Sequence, residues 1–217
     1  MNKNTYVFDL DGTLLDTLDD LTASTNYALR QMQMAERSKE EVRRFVGNGI
    51  AKLIERAVPE GTDAPTTART LELFRQYYLL HDLDHTRPYP GIVEMLRELK
   101  AQGKQIAIVS NKYYEATERL AEHFFPDLID VAIGEHEAAG IKKKPAPDTV
   151  VLAMSRLHAS KEKAVYIGDS DVDIATAAAS GLPCISVLWG FRDQAFLEAH
   201  GATRFATAPS DIPLMAL

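Results

Sequence analysis

Two carboxylates, Asp9 and Asp11, close an apolar run in the stretch Val7-Phe8-Asp9-Leu10-Asp11-Gly12-Thr13. Side chains two apart on an extended strand point to the same face. Like charges so placed repel, and they call for a cation or a shared proton. Oxygen ligands suit a hard divalent ion such as Mg²⁺. Gly12 permits a tight turn and a close backbone approach. An isolated pair of this kind is better accounted for by one acid capping a turn while the other faces solvent.

The pair is not isolated. Ser110, Asn111 and Lys112 follow a second apolar run. Lys142, Lys143 and Lys144 precede Pro145, and a further run ends in Gly168, Asp169, Ser170, Asp171 and Asp173. Each cluster has a plain alternative. Ser110 could cap the next helix, the lysines could be a solvated loop, and the acids could sit in a first helical turn favoured by the helix dipole. Together they supply acids, a hydroxyl and a cation, the ingredients of anion binding and of acid–base or nucleophilic work.

The elements that must bring these groups together read as strands with helices between them. Thr5–Leu10, Gln105–Ser110, Leu128–Gly134, Ala164–Asp169 and Pro183–Gly190 are apolar runs, and Arg204–Thr207 is a short edge candidate. Strands buried on both faces read as continuous apolar runs, and intervening helices imply parallel crossovers. One such helix is Gly91–Ala101, with Ile92, Met95, Leu96 and Leu99 on one face and Gly103 marking its end. The expected fold is α/β, a doubly wound parallel sheet whose ligand sits beyond the carboxyl ends of the strands. Residues 16–84 break the rhythm with helix patterns only: Thr17–Met34, Glu40–Phe45, Ile50–Ala57 and Thr67–His81, with Pro59, Gly61 and Pro65 separating the last two. They form an inserted α-helical domain within a core of residues 1–15 and 85–217.

Composition bounds the function. The 217 residues are 46% hydrophobic and carry a net charge of −7. No basic block marks a nucleic-acid footprint. No apolar stretch has the length of a membrane span. The chain opens without the apolar core of a signal peptide, and its one cysteine, Cys184, permits no intrachain disulfide. A cytoplasmic enzyme is the expectation, with no nucleic-acid or membrane partner and an open oligomeric state.

Taken in order, "DLDGT", "SN", the Lys before "PAPD" and "GDSDVD" resemble the four motifs of the haloacid dehalogenase superfamily of phosphohydrolases. A helical insert after the first motif is similar to that superfamily's cap, and the resemblance covers essentially the whole chain. It implies a Rossmann-like core and an aspartyl-phosphate route on a small phosphorylated metabolite. Asp9 would be the nucleophile and Asp11 the general acid and base. Mg²⁺ would bind the Asp9 carboxylate, the Asp11 carbonyl and Asp169, with Asp173 orienting from behind. Ser110 and Lys144 would hold the phosphate, helped by backbone N–H groups near Leu10, Asp11 and Asn111. Lys144 is chosen because it stands immediately before Pro145, and Lys142 and Lys143 then face solvent. A free Asp titrates near 3.9, so keeping a proton on Asp11 near neutral pH asks roughly 4 kcal/mol of its surroundings. The acid at this position argues against dehalogenase chemistry.

"FVGNGIAKLI", "TRPYPGI", "SNK" and "KKKPAPD" look like phosphoglycolate phosphatases and their relatives. In the insert, Asn48 within Gly47-Asn48-Gly49 is a candidate substrate contact. Arg43, Arg44 and Lys52 could meet a substrate carboxylate, or the turn could merely join two helices with its cations solvated. Lys112 could reach the site's rim or lie on a helix, and Trp189 could border the site or only pack. A β-phosphoglucomutase-like phosphomutase and an inorganic pyrophosphatase are the alternatives on the same fold.

Overall fold

The computed structural model describes residues 3–215. In chain order the elements are β1 (Thr5–Phe8), β2 (Leu15–Asp16), α1 (Leu18–Gln31), α2 (Lys39–Phe45), α3 (Ile50–Ala57), α4 (Ala64–His81), β3 (Arg87–Pro88) and α5 (Ile92–Ala101). They continue with β4 (Gln105–Tyr113), α6 (Tyr114–Phe124), β5 (Val131–Glu135), α7 (Asp148–Arg156), β6 (Ala164–Gly168), α8 (Asp171–Ser180), β7 (Cys184–Val187), α9 (Gln194–Ala199) and β8 (Phe205–Ala206). Two compact units result: one holds the chain up to Leu15 and from Pro88 onward, the other is Asp16–Arg87.

The larger unit is built on a six-stranded sheet in the order β5-β4-β1-β6-β7-β8, every pair parallel. Its strands feed two apolar layers by alternation. Tyr6, Phe8, Ile106, Ile108, Val165 and Ile167 pack on one face with Ile92, Met95, Leu96 and Leu99 of α5 and Leu120 of α6. Val7, Ala107, Val109 and Tyr166 pack on the other with Val150, Ala153 and Met154 of α7 and Ala177 of α8. This is the doubly wound arrangement, and the short Phe205–Ala206 strand lies at one edge of the sheet. After β5 the chain returns to the far side of β1, so the strand order reverses beside β1. Ligand crevices form at such a reversal.

Local chemistry moves several expected boundaries. The strand expected to end at Ser110 runs to Tyr113, with a register shift against β5 between Val109 and Tyr113. Bulges of this kind re-aim side chains, and Ser110, Asn111 and Lys112 are all buried in succession. Helix α6 takes Tyr113, not Ser110, at its N-cap, and no side chain makes the capping bond.

In the smaller unit α4 begins three residues earlier than the pattern suggested. Asp63 caps it by accepting from the Thr66 N–H, and Pro65 lies in its first turn. Pro65 therefore opens this helix rather than separating it from the one before, because a first-turn residue has no helical partner for its N–H anyway. Helix α1 ends at Gln31, short of the expected Met34. Asp20, buried in α1, accepts from the N–H groups of His85 and Thr86 and from the Thr86 hydroxyl, tying α1 to the end of this unit. Strands β2 and β3 pair as a two-stranded ribbon.

Candidate active site

The ends of β1, β4 and β6 and the segment before α7 bring Asp9, Ser110, Lys144, Asp169 and Asp173 to one edge of the sheet. Asp9 follows β1 directly and is fixed by its N–H to the Ile167 carbonyl at 2.9 Å. The Leu10 carbonyl accepts from the Leu14 and Leu15 N–H groups, folding the loop back on itself. Gly12 stands at φ +87° where any Cβ would run into the Asp169 carboxylate. At Gly12 the requirement is for backbone, not side chain, against an acid.

Lys144 organises the centre. It is 3% exposed, and its Nζ lies 2.7 Å from Oδ1 of Asp9 and 2.8 Å from Oδ1 of Asp173. It also donates to the Tyr166 hydroxyl at 3.1 Å, and that hydroxyl donates to Asp173 Oδ1 at 2.9 Å. The Lys144 backbone is clamped by the Asn111 side chain. The Lys144 N–H donates to Oδ1 at 2.7 Å, and Nδ2 donates to the Lys144 carbonyl at 3.1 Å. Lys142 is exposed and Lys143 half-buried, so Lys144 alone of the three is enclosed.

Asp173 is saturated. Its other oxygen, Oδ2, accepts from the Asp169 N–H, the Ser170 N–H and the Ser170 hydroxyl, while Ser170 and Asp173 form a reciprocal cap at the start of α8. The first-turn role and the site role are filled by one side chain. Asp169, 1% exposed, accepts from the Thr13 hydroxyl at 3.3 Å and from the Phe191 N–H at 2.7 Å. Trp189 donates from Nε1 to the Thr13 carbonyl at 2.9 Å and packs against the core, so it both borders the site and packs.

Lys112 is buried at the end of β4, and its Nζ lies 3.2 Å from Oδ1 of half-buried Asp11. That is close enough for charge pairing, though not aligned as a hydrogen bond. The Ser110 hydroxyl accepts from the Lys112 N–H at 3.2 Å. Cys184 is half-buried, and burial pushes its thiol up to about 12, which leaves it inert.

The charges do not balance within the site. Asp9, Asp169 and Asp173 each offer an oxygen within 4.8 Å of the others. With Asp11 they face two buried lysines. Burial, then repulsion from Asp173, lifts Asp9 well above the usual carboxylate range, against the pull of Lys144. Burial and Asp173 likewise push Asp169 to about 7, although the Phe191 N–H and Arg192 act the other way. Burial depresses Lys144, but Asp173 and Asp9 more than offset it and hold the ammonium above its ordinary value. Surplus buried negative charge on hard oxygens fits a divalent cation such as Mg²⁺. Asp9 and Asp169 have the most room to hold one: the Asp173 oxygens accept from five donors, those of Asp169 from two.

Asn48, Arg43, Arg44 and Lys52 belong to the other unit. There Asn48 Oδ1 accepts from the Arg56 guanidinium at 2.8 Å, and Arg56 also donates to the Phe45 carbonyl at 2.7 Å. Lys52 pairs with Glu55 at 2.6 Å and Arg43 with Glu40 at 3.8 Å. Sequence reasoning passed over Tyr166, Thr13 and Arg56. Tyr166 had a signal: a hydroxyl in an otherwise fully apolar strand needs a buried partner.

The model of the haloacid dehalogenase-like hydrolase family matches residues 6–187. A phosphoglycolate phosphatase of Aquifex aeolicus is 30% identical over 186 residues, spanning 85% of this chain and 84% of its own. Another, from Mesorhizobium japonicum, is 34% identical over 201 residues, 89% of this chain and 86% of its own. A solved structure from Lactobacillus delbrueckii subsp. bulgaricus is similar with a TM-score of 0.93 at 35% identity, and the match covers 98% of each chain.

Proposed function

The chain belongs to the haloacid dehalogenase-like hydrolases, and we propose that within them it is a Mg²⁺-dependent phosphatase of small phosphorylated acids, 2-phosphoglycolate foremost. The carrying observation is the Lys144 ammonium seated between Asp9 and Asp173 beside a third buried carboxylate, Asp169. The names of the relatives support the substrate. A cytoplasmic setting is part of the proposal. It is compatible with the described helices, none of which is long and apolar enough to cross a membrane.

In this reading Asp9 attacks the phosphorus and takes the phosphoryl group as an aspartyl-phosphate. Ser110 and Lys144 hold the phosphoryl oxygens, and Asn111 holds the backbone of Lys144 in place. Backbone N–H groups around Leu10 and Asp11 add donors. Asp11 gives a proton to the leaving alkoxide and then takes one from the attacking water. Asp9, Asp169 and the Asp11 carbonyl would hold Mg²⁺, which would supply charge neutralisation for the anionic substrate and transition state. Asp173 keeps Lys144 and the Asp169 backbone in register. The helical unit serves as the cap that selects the leaving group, with Asn48 as its candidate contact.

The test is phosphate release by purified protein with Mg²⁺ on a panel holding 2-phosphoglycolate, β-glucose 1-phosphate and pyrophosphate. Highest kcat/KM on 2-phosphoglycolate is expected. Isomerisation of the sugar phosphate without net release, or preference for pyrophosphate, would replace the substrate assignment by one of the two alternatives. No release from any ester would overturn the phosphatase reading itself.

A further inference from the structure

Lys112 has no task in the mechanism above, yet it is among the most enclosed cations of the larger unit. Only 5% of the residue is exposed, and its ammonium sits 3.2 Å from the Asp11 carboxylate. Burying an ammonium costs several kcal/mol unless anions face it. At the end of β4, where the register against β5 shifts, three successive polar residues are buried in a sheet covered on both faces. Ser110 and Asn111 are accounted for, one as a phosphate ligand and the other as the clamp on the Lys144 backbone. Lys112 is the third, and Asp11 is the acid beside it.

The position has a geometric consequence. Asp11, as general acid, must lie within hydrogen-bond reach of the leaving oxygen. A cation in contact with Asp11 then stands about one short side chain's reach from the group attached to that oxygen. In 2-phosphoglycolate the attached group is a single methylene followed by a carboxylate. An ammonium carries three N–H donors, so Lys112 can bridge the Asp11 carboxylate and a second carboxylate next to the leaving oxygen.

We propose that Lys112 is a specificity-determining residue that binds the carboxylate of the leaving group, so that the core itself selects esters with an acid one carbon from the ester oxygen. The inference rests on the phosphatase reading and deepens it. Selection then comes in part from the SNK segment of the sheet, and not only from the helical unit.

The experiment compares 2-phosphoglycolate with ethyl phosphate, a probe of similar length without the carboxylate. It uses wild type, Lys112→Met, which keeps the aliphatic stem, and Lys112→Arg, which keeps the charge. Wild type should prefer 2-phosphoglycolate. In Lys112→Met the loss in kcat/KM on 2-phosphoglycolate should exceed the loss on ethyl phosphate by about 30-fold or more, mainly through KM, as expected when one partner of a desolvated charge pair is removed. Lys112→Arg should recover part of that difference. Equal losses on both probes would show that Lys112 acts only through Asp11 and would overturn the proposal, as would no loss on either. Residual turnover of ethyl phosphate reports whether each variant is folded. If Lys112→Met is inactive on both, the same ratio is read from Lys112→Arg, and an unaltered preference there with raised KM on both probes counts against the proposal. A wild type that turns over both probes without preference would remove the substrate reading and this inference with it, while leaving the phosphatase reading in place.

Discussion

The two units of this chain handle polar residues in opposite ways. In the larger unit they are buried and joined across long stretches of sequence: Lys144 to Asn111 and Asp173, and Asp169 to Thr13. In the helical unit most are exposed and joined to near neighbours, as Lys52 is to Glu55, Arg43 to Glu40 and Ser38 to Glu41. A buried, saturated network has one arrangement and resists change, because any group it loses strands another. Exposed local pairs contribute little and tolerate replacement. Asp20 is an exception in the helical unit, buried with three donors on its carboxylate, but its partners are backbone and a threonine, so its work is structural.

The sharpest way to break this contrast is Lys144→Met. It leaves Asp9 and Asp173 buried without their cation, and a broken buried pair costs about 3 to 5 kcal/mol. A fall in activity of about a thousandfold or more is expected alongside a lower Tm, checked by steady-state kinetics and calorimetry. Asp20→Ala is the matched change in the other unit. It should cost about 3 kcal/mol by removing hydrogen bonds to a charged acceptor while shifting kcat far less, and denaturant unfolding with kinetics on the folded fraction separates the two effects.

Tyr166→Phe is subtler. The ring still fills its place in the core, but the hydroxyl that joins Lys144 to Asp173 is lost. About tenfold in kcat and about 1 to 2 kcal/mol of stability are expected, with KM moved less than kcat. An unchanged kcat would mean that Lys144 is positioned well enough by Asn111 and the two carboxylates.

The smallest effect is a pH dependence. The folded value of Asp169 lies at about 7, above the value near 3.9 of an unfolded Asp. The folded metal-free protein therefore binds the extra proton, and the stability this brings is present below about pH 4 and lost as pH rises through 7. Asp9 shifts in the same direction. Mg²⁺ added to the metal-free protein should raise Tm by more at pH 8 than at pH 5. Equal increments would argue that Asp9 and Asp169 are not its ligands.

How much of this was legible in the sequence follows the same division. Continuous apolar runs such as Thr5–Phe8 and Ala164–Gly168 announced a sheet buried on both faces, because burial leaves no room for alternation. Asp9, Ser110 and Asp169 stood out by ending such runs together, each having a plain alternative alone, while Lys144 was singled out by the resemblance, as the lysine immediately before Pro145. Tyr166 did not, since a tyrosine inside an apolar run reads as core until its hydroxyl is asked for a partner. The end of β4 was misplaced because Ser110, Asn111 and Lys112 look like a loop, whereas a strand covered on both faces buries polar residues in a row as readily as apolar ones once they have partners. The Asn48–Arg56 contact depends on how a Gly-flanked turn meets the next helix, which no spacing rule gives.

The central claim is that Asp9, the carboxylate held by Lys144, forms the covalent intermediate. Rapid acid quench during turnover of 2-phosphoglycolate, followed by peptide mass spectrometry, tests it most directly. The account predicts one added phosphoryl group on the peptide carrying Asp9, labile to hydroxylamine and absent from Asp9→Asn. A phosphoryl group on another residue, or full turnover by Asp9→Asn with no labelled peptide, would contradict it.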